Sequence, residues 1–379
     1  MKTVRSPSRS CVRDKFVAAR AELAAALVER DDEVDLVLTA LVAREHALLV
    51  GPPGTAKSLL LDGVARFVEG RRFTCLLTKF TLPEELFGPV SLAGLREDRY
   101  VRVTAGRLPE ADVAFVDEVF KASSAILNTL LRLLNERTFD DGSGVARAVP
   151  LRLCVAASNE WPGTADGGGK ELAAVFDRFL FRKAVKPVAT SEGRGRLLWA
   201  AGHAPAFSSG VTPADVDRAH AEAVALPWSP AAKEALEEVL RELAREGVRP
   251  GDRRQRKAVT AAKAWAYLAG ADRVEPEHLE VLRHVLWDDP DGQPAVCAGV
   301  IAKVADPPAM RAAGLLAEAE EVMAGADVRD LTSAATAAAK LAEVERRLAG
   351  LAGDARADKA RAYVRGQLTK LKIASLGAA

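Results

Sequence analysis

The chain has little of what would tie it to several common functions. Its four cysteines (Cys11, Cys75, Cys154 and Cys297) are scattered and form no C-x-x-C pair. That excludes a disulfide framework and points to a reducing compartment. Five histidines are equally dispersed, so no zinc-ligand spacing emerges. Aromatic residues make up only 5% of the chain, too few for a platform that stacks on bases. The formal net charge is +1, so nothing drives the whole chain toward a polyanion. No apolar run approaches the roughly 18 residues of a membrane span. The basic start, MKTVRSPSRS, is followed by a stretch broken by Arg20 and Glu22, so no signal-peptide core forms. No repeat of about 20 to 50 residues is visible. The expectation is a cytoplasmic protein without a membrane span.

What is present is an alternation of strand and helix patterns. Leu23, Leu27, Val34, Leu38 and Leu41 recur at helical spacing and predict a helical stretch from Arg13 to Ala43. Five short apolar runs predict strands: HALLVG, FTCLLT, VAFVDE, LRLCVAASN and FLFRKAV. Helical segments such as ILNTLLRLLNER separate several of them, which implies a parallel sheet covered on both faces. After Lys186 prolines punctuate the chain. The expected domains are an α/β nucleotide-binding core over 1–190, a connector over 191–228, a helical lid over 229–290 and a C-terminal helical extension, a bundle or hairpin, over 291–379. PEHLEVLRHVLW reads as the last lid helix. Leu341, Val344, Leu348 and Leu351, then Val364, Leu368 and Leu371, predict an antiparallel helix pair.

The chemistry concentrates where strands end. GPPGTAKS, Gly51 to Ser58, follows a strand and opens a helix, as a phosphate-binding loop does. Its nucleotide-binding run is Gly51, Pro52, Pro53, Gly54, Thr55, Ala56, Lys57, Ser58 and Leu59. Backbone amides and a helix N-terminus would surround the phosphates of ATP. Lys57 would add a charge at the β/γ-phosphates, and Ser58 a hydroxyl for Mg²⁺. Ala56 stands where the motif has glycine, which the sequence allows only with a negative φ. VAFVDE ends a strand with Asp117, a second Mg²⁺ residue, and Glu118, placed to polarise the attacking water. Asn159 ends LCVAASN and offers a neutral amide to the γ-phosphate or the water. Arg178, in AVFDRFLF, and Arg253, in RPGDRRQRK, supply guanidinium groups for charge on the transferred phosphoryl. Arg178 has an alternative in a salt bridge to Asp177 or Glu171, and Arg254 competes with Arg253.

Together these segments resemble the MoxR family of AAA+ ATPases, and within it the RavA-like branch, from about Arg13 to Asp289. GPPGTAKS resembles the family's loop, in which alanine before the lysine is usual. TKFTLPEELFGPVSL resembles its helix-2 insert, TAGRLPEADVAFVDEVFKASSAILNTLLRLLNERTF its Walker B block, and VAASNEWP its sensor 1. GDRR and the helix after it resemble RavA-like sensor 2, at Arg253, and Arg178 matches the arginine-finger position. The resemblance implies a P-loop core, Mg-dependent ATP hydrolysis and a hexameric ring with active sites between subunits. It also implies chaperone-like remodelling of a partner with a von Willebrand factor A domain. The span after Asp289 is helical and too short for the extra β-rich domain of RavA, so contacts made by that domain do not transfer. GGGK before the finger helix reads as a loop.

Two other functions fit parts of the pattern. A nucleic-acid motor needs a basic stripe, and Lys79, Arg96, Arg99 and Arg102 are diluted by Glu84, Glu85, Glu97 and Asp98. A nucleotide-gated scaffold would barely hydrolyse, against the presence of Lys57, Asp117 and Glu118. Phe87-Gly88 and a strand over Tyr100 to Val103 are expected either to face a ring axis or partner, or to pack in a hairpin.

Overall fold

The computed structural model describes residues 10–161, 169–199, 210–305, 307–326, 331–351 and 355–377. These fall into two compact units, each assembled from separate stretches of chain. The first holds 1–228, 248–274 and 281–294, and the second 229–247, 275–280 and 295–379.

The first unit begins with helices α1 (Ser10–Ala26) and α2 (Asp31–Ala43). The single helical stretch expected here is therefore broken. Glu29 has φ +54°, which no α-helix accommodates, and the apolar spacing resumes beyond it. Next come β1 (Ala47–Val50), α3 (Lys57–Phe67), β2 (Arg72–Leu76), α4 (Pro83–Phe87) and α5 (Leu92–Leu95). β3 (Val113–Asp117), α6 (Ser124–Glu136), β4 (Thr138–Asp140), β5 (Ala146–Ala148) and β6 (Leu153–Ser158) follow. α7 (Gly169–Arg178), β7 (Phe181–Ala184), α8 (Ser191–Trp199), α9 (Pro213–Val224) and α11 (Asp252–Leu268) complete its main elements, with α10 (Pro230–Arg245) lying in the second unit.

The five expected strands form one sheet in the order β2-β3-β6-β1-β7, every pair parallel. All residues of β1 and β6 are buried, which explains their unbroken apolar sequences. His46, just before β1, is enclosed. Its Nδ1 accepts from the Cys154 amide at 3.0 Å, so its Nε2–H donates to the Leu134 carbonyl at 3.1 Å. Burial holds this imidazole neutral, well below its ordinary titration range.

β4 and β5 form a separate antiparallel hairpin that lies outside the sequence expectations. Phe139 on β4 stacks on Phe87, with ring centroids 5.6 Å apart. Of the alternatives for Phe87, packing is the one realised: the ring is buried. Tyr100 to Val103 is not a strand. Arg102 makes one antiparallel bridge with Val90, and Tyr100 is half exposed. The GGGK loop lies outside the described residues up to its last glycine.

In the second unit α12 (Gln293–Ala305) contributes from Ala295 onward, beside α13 (Pro308–Ala324), α14 (Leu331–Ala349) and α15 (Ala355–Gly377). The expected pair, α14 and α15, meets along Leu341, Val344, Leu348, Val364 and Leu371. It gains a third partner, because Ala312, Leu315 and Ala319 of α13 enter the same core. The alanines allow close approach of the three helices. PEHLEVLRHVLW is not an α-helix. Pro276–His284 is a 3₁₀ segment, and the preceding Glu275 amide is capped by His278 Nδ1 at 2.8 Å. Among the described residues, no helix is long and apolar enough to cross a membrane.

Candidate active site

The C-terminal ends of β1, β3 and β6 bring four of the predicted residues together. β1 leads through Gly51 into the loop. A Cβ on Gly51 would lie 2.2 Å from the Val185 carbonyl oxygen, so only glycine passes there. Gly54 has φ +78° and open space on its side-chain side. Ala56 has φ +62°, the left-handed conformation, which corrects the expectation of a negative angle. That conformation costs an alanine roughly 1–2 kcal/mol, and the chain adopts it because the turn into α3 requires it.

The loop's carbonyls are occupied by its own protein. Lys57 Nζ donates to the carbonyls of Gly51 at 2.7 Å and Pro52 at 3.0 Å. Thr55 Oγ1 donates to Pro52 at 2.8 Å, and the Leu60 amide to Ala56 at 3.0 Å. Among the described residues, the amides of Gly54 to Leu59 have no acceptor in the protein. A run of unpaired donors over a helix N-terminus, with open space at Gly54, fits the phosphates of a nucleotide. Burial pulls the Lys57 ammonium below its ordinary pKa, while Asp117 and Glu118 push it back up. Ser58 and Leu59 are exposed on the first turn of α3, with the Ser58 hydroxyl available to a cation.

Asp117 ends β3, and its Oδ1 accepts from the Glu118 amide at 2.9 Å. Glu118 is nearly buried, with φ +53°, and accepts from Asn159 Nδ2 and from Lys121 Nζ at 3.3 Å. Asn159 Oδ1 lies 3.5 Å from Lys57 Nζ. The amide thus touches both the loop lysine and the acid.

The two predicted arginines are elsewhere. Arg178 ends α7 just before β7, whose first residue pairs with the first residue of β1. In a parallel sheet that is the edge opposite the loop. Arg178 donates to Asp177 at 3.1 Å, one of the two partners expected, while the side chain of the other, Glu171, lies outside the described residues. Among the described residues the Arg178 Nε is buried without an acceptor. Burial, then the nearby charge of Arg253, lowers its pKa. Arg253 donates to Asn135 Oδ1 at the end of α6. Arg254 is buried between Asp177 at 2.9 Å and Asp288 at 3.0 Å. Its neighbour Arg182 has no exposed side-chain surface and lies over the Phe176 ring at 3.8 Å, and burial pushes it down to about 9. These two arginines hold the fold, while Arg178 and Arg253 form a second cationic group.

One contact to the loop has no counterpart among the residues predicted from sequence. Arg30, ahead of α2, donates through Nε to the Thr55 carbonyl at 3.0 Å and through a second nitrogen to the Lys186 carbonyl at 2.9 Å. The only hint in the sequence is a charged run, ERDDE, between two helical patterns. Two of the four residues of the candidate basic stripe are engaged: Arg99 pairs with Glu97, and Arg102 bonds Glu84 and the Gly88 carbonyl.

Comparison with known proteins agrees with this geometry. Residues 14–213 match the family model described as the MoxR domain in the MoxR-vWA-beta-propeller ternary systems. Residues 233–299 match an AAA lid domain. Two uncharacterised proteins of Methanocaldococcus jannaschii are similar over most of their length. One is 40% identical over 274 residues, covering 72% of this chain and 71% of its own. The other is 38% identical over 279 residues, covering 73% and 71%. Chaperone MoxR1 of Mycobacterium tuberculosis is 28% identical over 156 residues, covering 41% of this chain and 40% of its own. A crystal structure of a candidate ATPase from Cytophaga hutchinsonii superposes with a TM-score of 0.59 at 19% identity, covering 73% of this chain and 86% of its own. That likeness concerns the fold alone, an AAA+ α/β core. With its first 200 or so residues matched and the loop, strands and sheet order in place, the chain belongs to the MoxR family of AAA+ ATPases.

Proposed function

We propose that the protein is a Mg-dependent ATPase that works as a ring, with active sites shared between neighbouring subunits, and that it remodels a protein partner. The observation that carries this reading is the separation of its charged groups. Lys57, Asp117, Glu118 and Asn159 meet at one edge of the sheet, and Arg178 with Arg253 at the other.

Each residue has a role in that reading. The amides of Gly54, Thr55, Ala56, Ser58 and Leu59, with Lys57, hold the phosphates. Gly51, whose own amide bonds the Ser158 carbonyl, starts the turn, and Pro52 and Pro53 stiffen it. Ser58 and Asp117 hold Mg²⁺, which neutralises phosphate charge when bound. Glu118 accepts a hydrogen bond from the attacking water, and Asn159 fixes its position. Arg178 and Arg253 reach the site of the adjacent subunit and stabilise charge on the transferred phosphoryl. A hexamer is the ring size the family resemblance implies.

The partner we infer is a protein with a von Willebrand factor A domain, supported by the description of the matched MoxR domain. A chaperone-like role is supported by the name of the Mycobacterium relative. The RavA-like branch rests on GDRR and its helix alone. ATP as fuel fits the cytoplasmic setting expected from the sequence.

A second reading, a nucleotide-gated scaffold, is favoured by two contacts to one side chain. Glu118 is engaged by both Asn159 and Lys121, so it must be released before it can orient water. The experiment is phosphate release from MgATP over a wide range of protein concentration, with Glu118→Gln as control. Specific activity that climbs with concentration and vanishes in the control supports the shared ATPase. Release that is absent at every concentration, with MgATP still bound, favours the scaffold.

A further inference from the structure

The phosphate loop carries an alanine at its one strained position, and a buried cation from another part of the chain is bonded to the peptide beside it. We propose that Arg30 is a positioning residue that fixes the loop in its phosphate-receiving form and lets Ala56 occupy a glycine conformation. This rests on the reading of the loop as a nucleotide site.

The carbonyl and the N–H of a peptide unit point in opposite directions, because the bond between them is planar and trans. Arg30 Nε holds the Thr55 carbonyl at 3.0 Å. The N–H of the same peptide belongs to Ala56, and it is thereby turned the other way, among the donors left unpaired in the protein. Ala56, at φ +62°, has a methyl group that opposes this orientation, and glycine would not. The arginine supplies from outside what the missing glycine would supply from within.

Arg30 is built to hold still. It is only 5% exposed, and its planar group reaches three carbonyls: Thr55, Glu29 at 2.6 Å and Lys186 at 2.9 Å. Its chain neighbour Glu29 is anchored as well. The Glu29 carboxylate accepts from the amides of Ala189 at 2.8 Å and Thr190 at 3.0 Å, ahead of α8. The turn between α1 and α2 is therefore tied on one side to the loop and on the other to the chain leaving β7. A lysine could satisfy one of the three carbonyls but has no fork to span them.

A plain structural anchor would predict the same contacts, so the test must involve Ala56. Four proteins are compared: the unaltered chain, Arg30→Gln, Ala56→Gly and the double variant. MgADP affinity is measured by calorimetry and thermal unfolding is followed without nucleotide. Arg30→Gln is expected to weaken MgADP roughly tenfold in the chain with Ala56, and no more than about threefold on the Ala56→Gly background. Its loss of melting temperature should likewise shrink on that background. Equal losses on both backgrounds, or no loss in either, would overturn the proposal. If the unaltered chain fails to bind MgADP, the nucleotide reading falls by itself. The coupling is then decided by the melting temperatures, additive shifts counting against it. Should Arg30→Gln not fold, Arg30→Lys enters the same cycle with the same criteria.

Discussion

The two edges of the central sheet use their charges differently. At the C-terminal edge, Lys57 is held by carbonyls of its own loop and Glu118 accepts from the neutral amide of Asn159 as well as from Lys121. The carbonyl contacts leave most of the Lys57 charge available to a ligand, while Lys121 offsets part of the charge of Glu118. At the N-terminal edge four arginines crowd together and divide into two kinds. Arg182 and Arg254 are buried and consumed by Asp177, Asp288 and backbone carbonyls. Among the described residues Arg178 and Arg253 each make a single side-chain hydrogen bond, and the charge of Arg253 opposes that of Arg178. Proximity in sequence hides this division: Arg253 and Arg254 are adjacent, yet Arg254 is a strut and Arg253 is available.

Either edge can be broken separately. The largest effect expected is on turnover in Arg178→Ala, about 10³-fold, with MgATP affinity within about threefold of the unaltered protein. A matching loss of affinity would mean that Arg178 serves its own subunit's loop or the fold. Next is Lys57→Ala, which should weaken MgADP binding on the order of 100-fold by calorimetry, the ammonium being the loop's one side-chain charge. Binding that survives intact would remove the loop from the site. At the other edge Arg254→Ala should lower unfolding stability by about 2 kcal/mol in urea titration. That is below the usual cost of breaking a buried pair because both of its carboxylate partners are about half exposed. Arg253→Ala should leave that stability within about 0.5 kcal/mol while reducing turnover. An exchange of these two outcomes would reverse their assignment.

The smallest effect concerns the sheet that separates the edges. His46 is a base whose folded pKa is depressed by burial, so the unfolded chain takes up its proton first as pH falls. Stability attributable to it is present above the unfolded value near 6.5 and declines below it, by about 0.8 kcal/mol between pH 8 and pH 6. Ring signals of His46 followed by NMR should remain those of the neutral form throughout that range. A midpoint near 6.5 would show that the ring is solvated.

The sheet was legible because β1 and β6 in its interior are buried along their whole length and read as unbroken apolar runs, with shorter apolar runs flanking them. The residues of the loop edge were legible because strand ends followed by phosphate-loop and acidic signatures are local patterns. What was not legible depends on partners far along the chain. Arg30 bonds carbonyls 25 and 156 residues away, and a carbonyl leaves no mark in a sequence. The β4–β5 hairpin escaped because its strands are three residues long and β5 is exposed throughout. Phe87 could not be assigned between partner and packing until Phe139 appeared opposite it. The break at Glu29 was masked by apolar spacing that continues across it. The packing of α13 onto the α14–α15 pair was masked by alanine faces with little periodic contrast, although the span itself reads as helical.

Mixing two inactive variants tests most directly whether one subunit's arginines complete the nucleotide site of the next. Lys57→Ala keeps Arg178 and loses the loop's charge, while Arg178→Ala keeps the loop and loses the finger. In an equimolar mixture that exchanges subunits freely, about a quarter of the interfaces in a ring would join an intact loop to an intact finger. Phosphate release should therefore recover to about a quarter of the unaltered rate, where either variant alone is near silent. No recovery at any mixing ratio, with mixed assemblies present, would contradict the shared site.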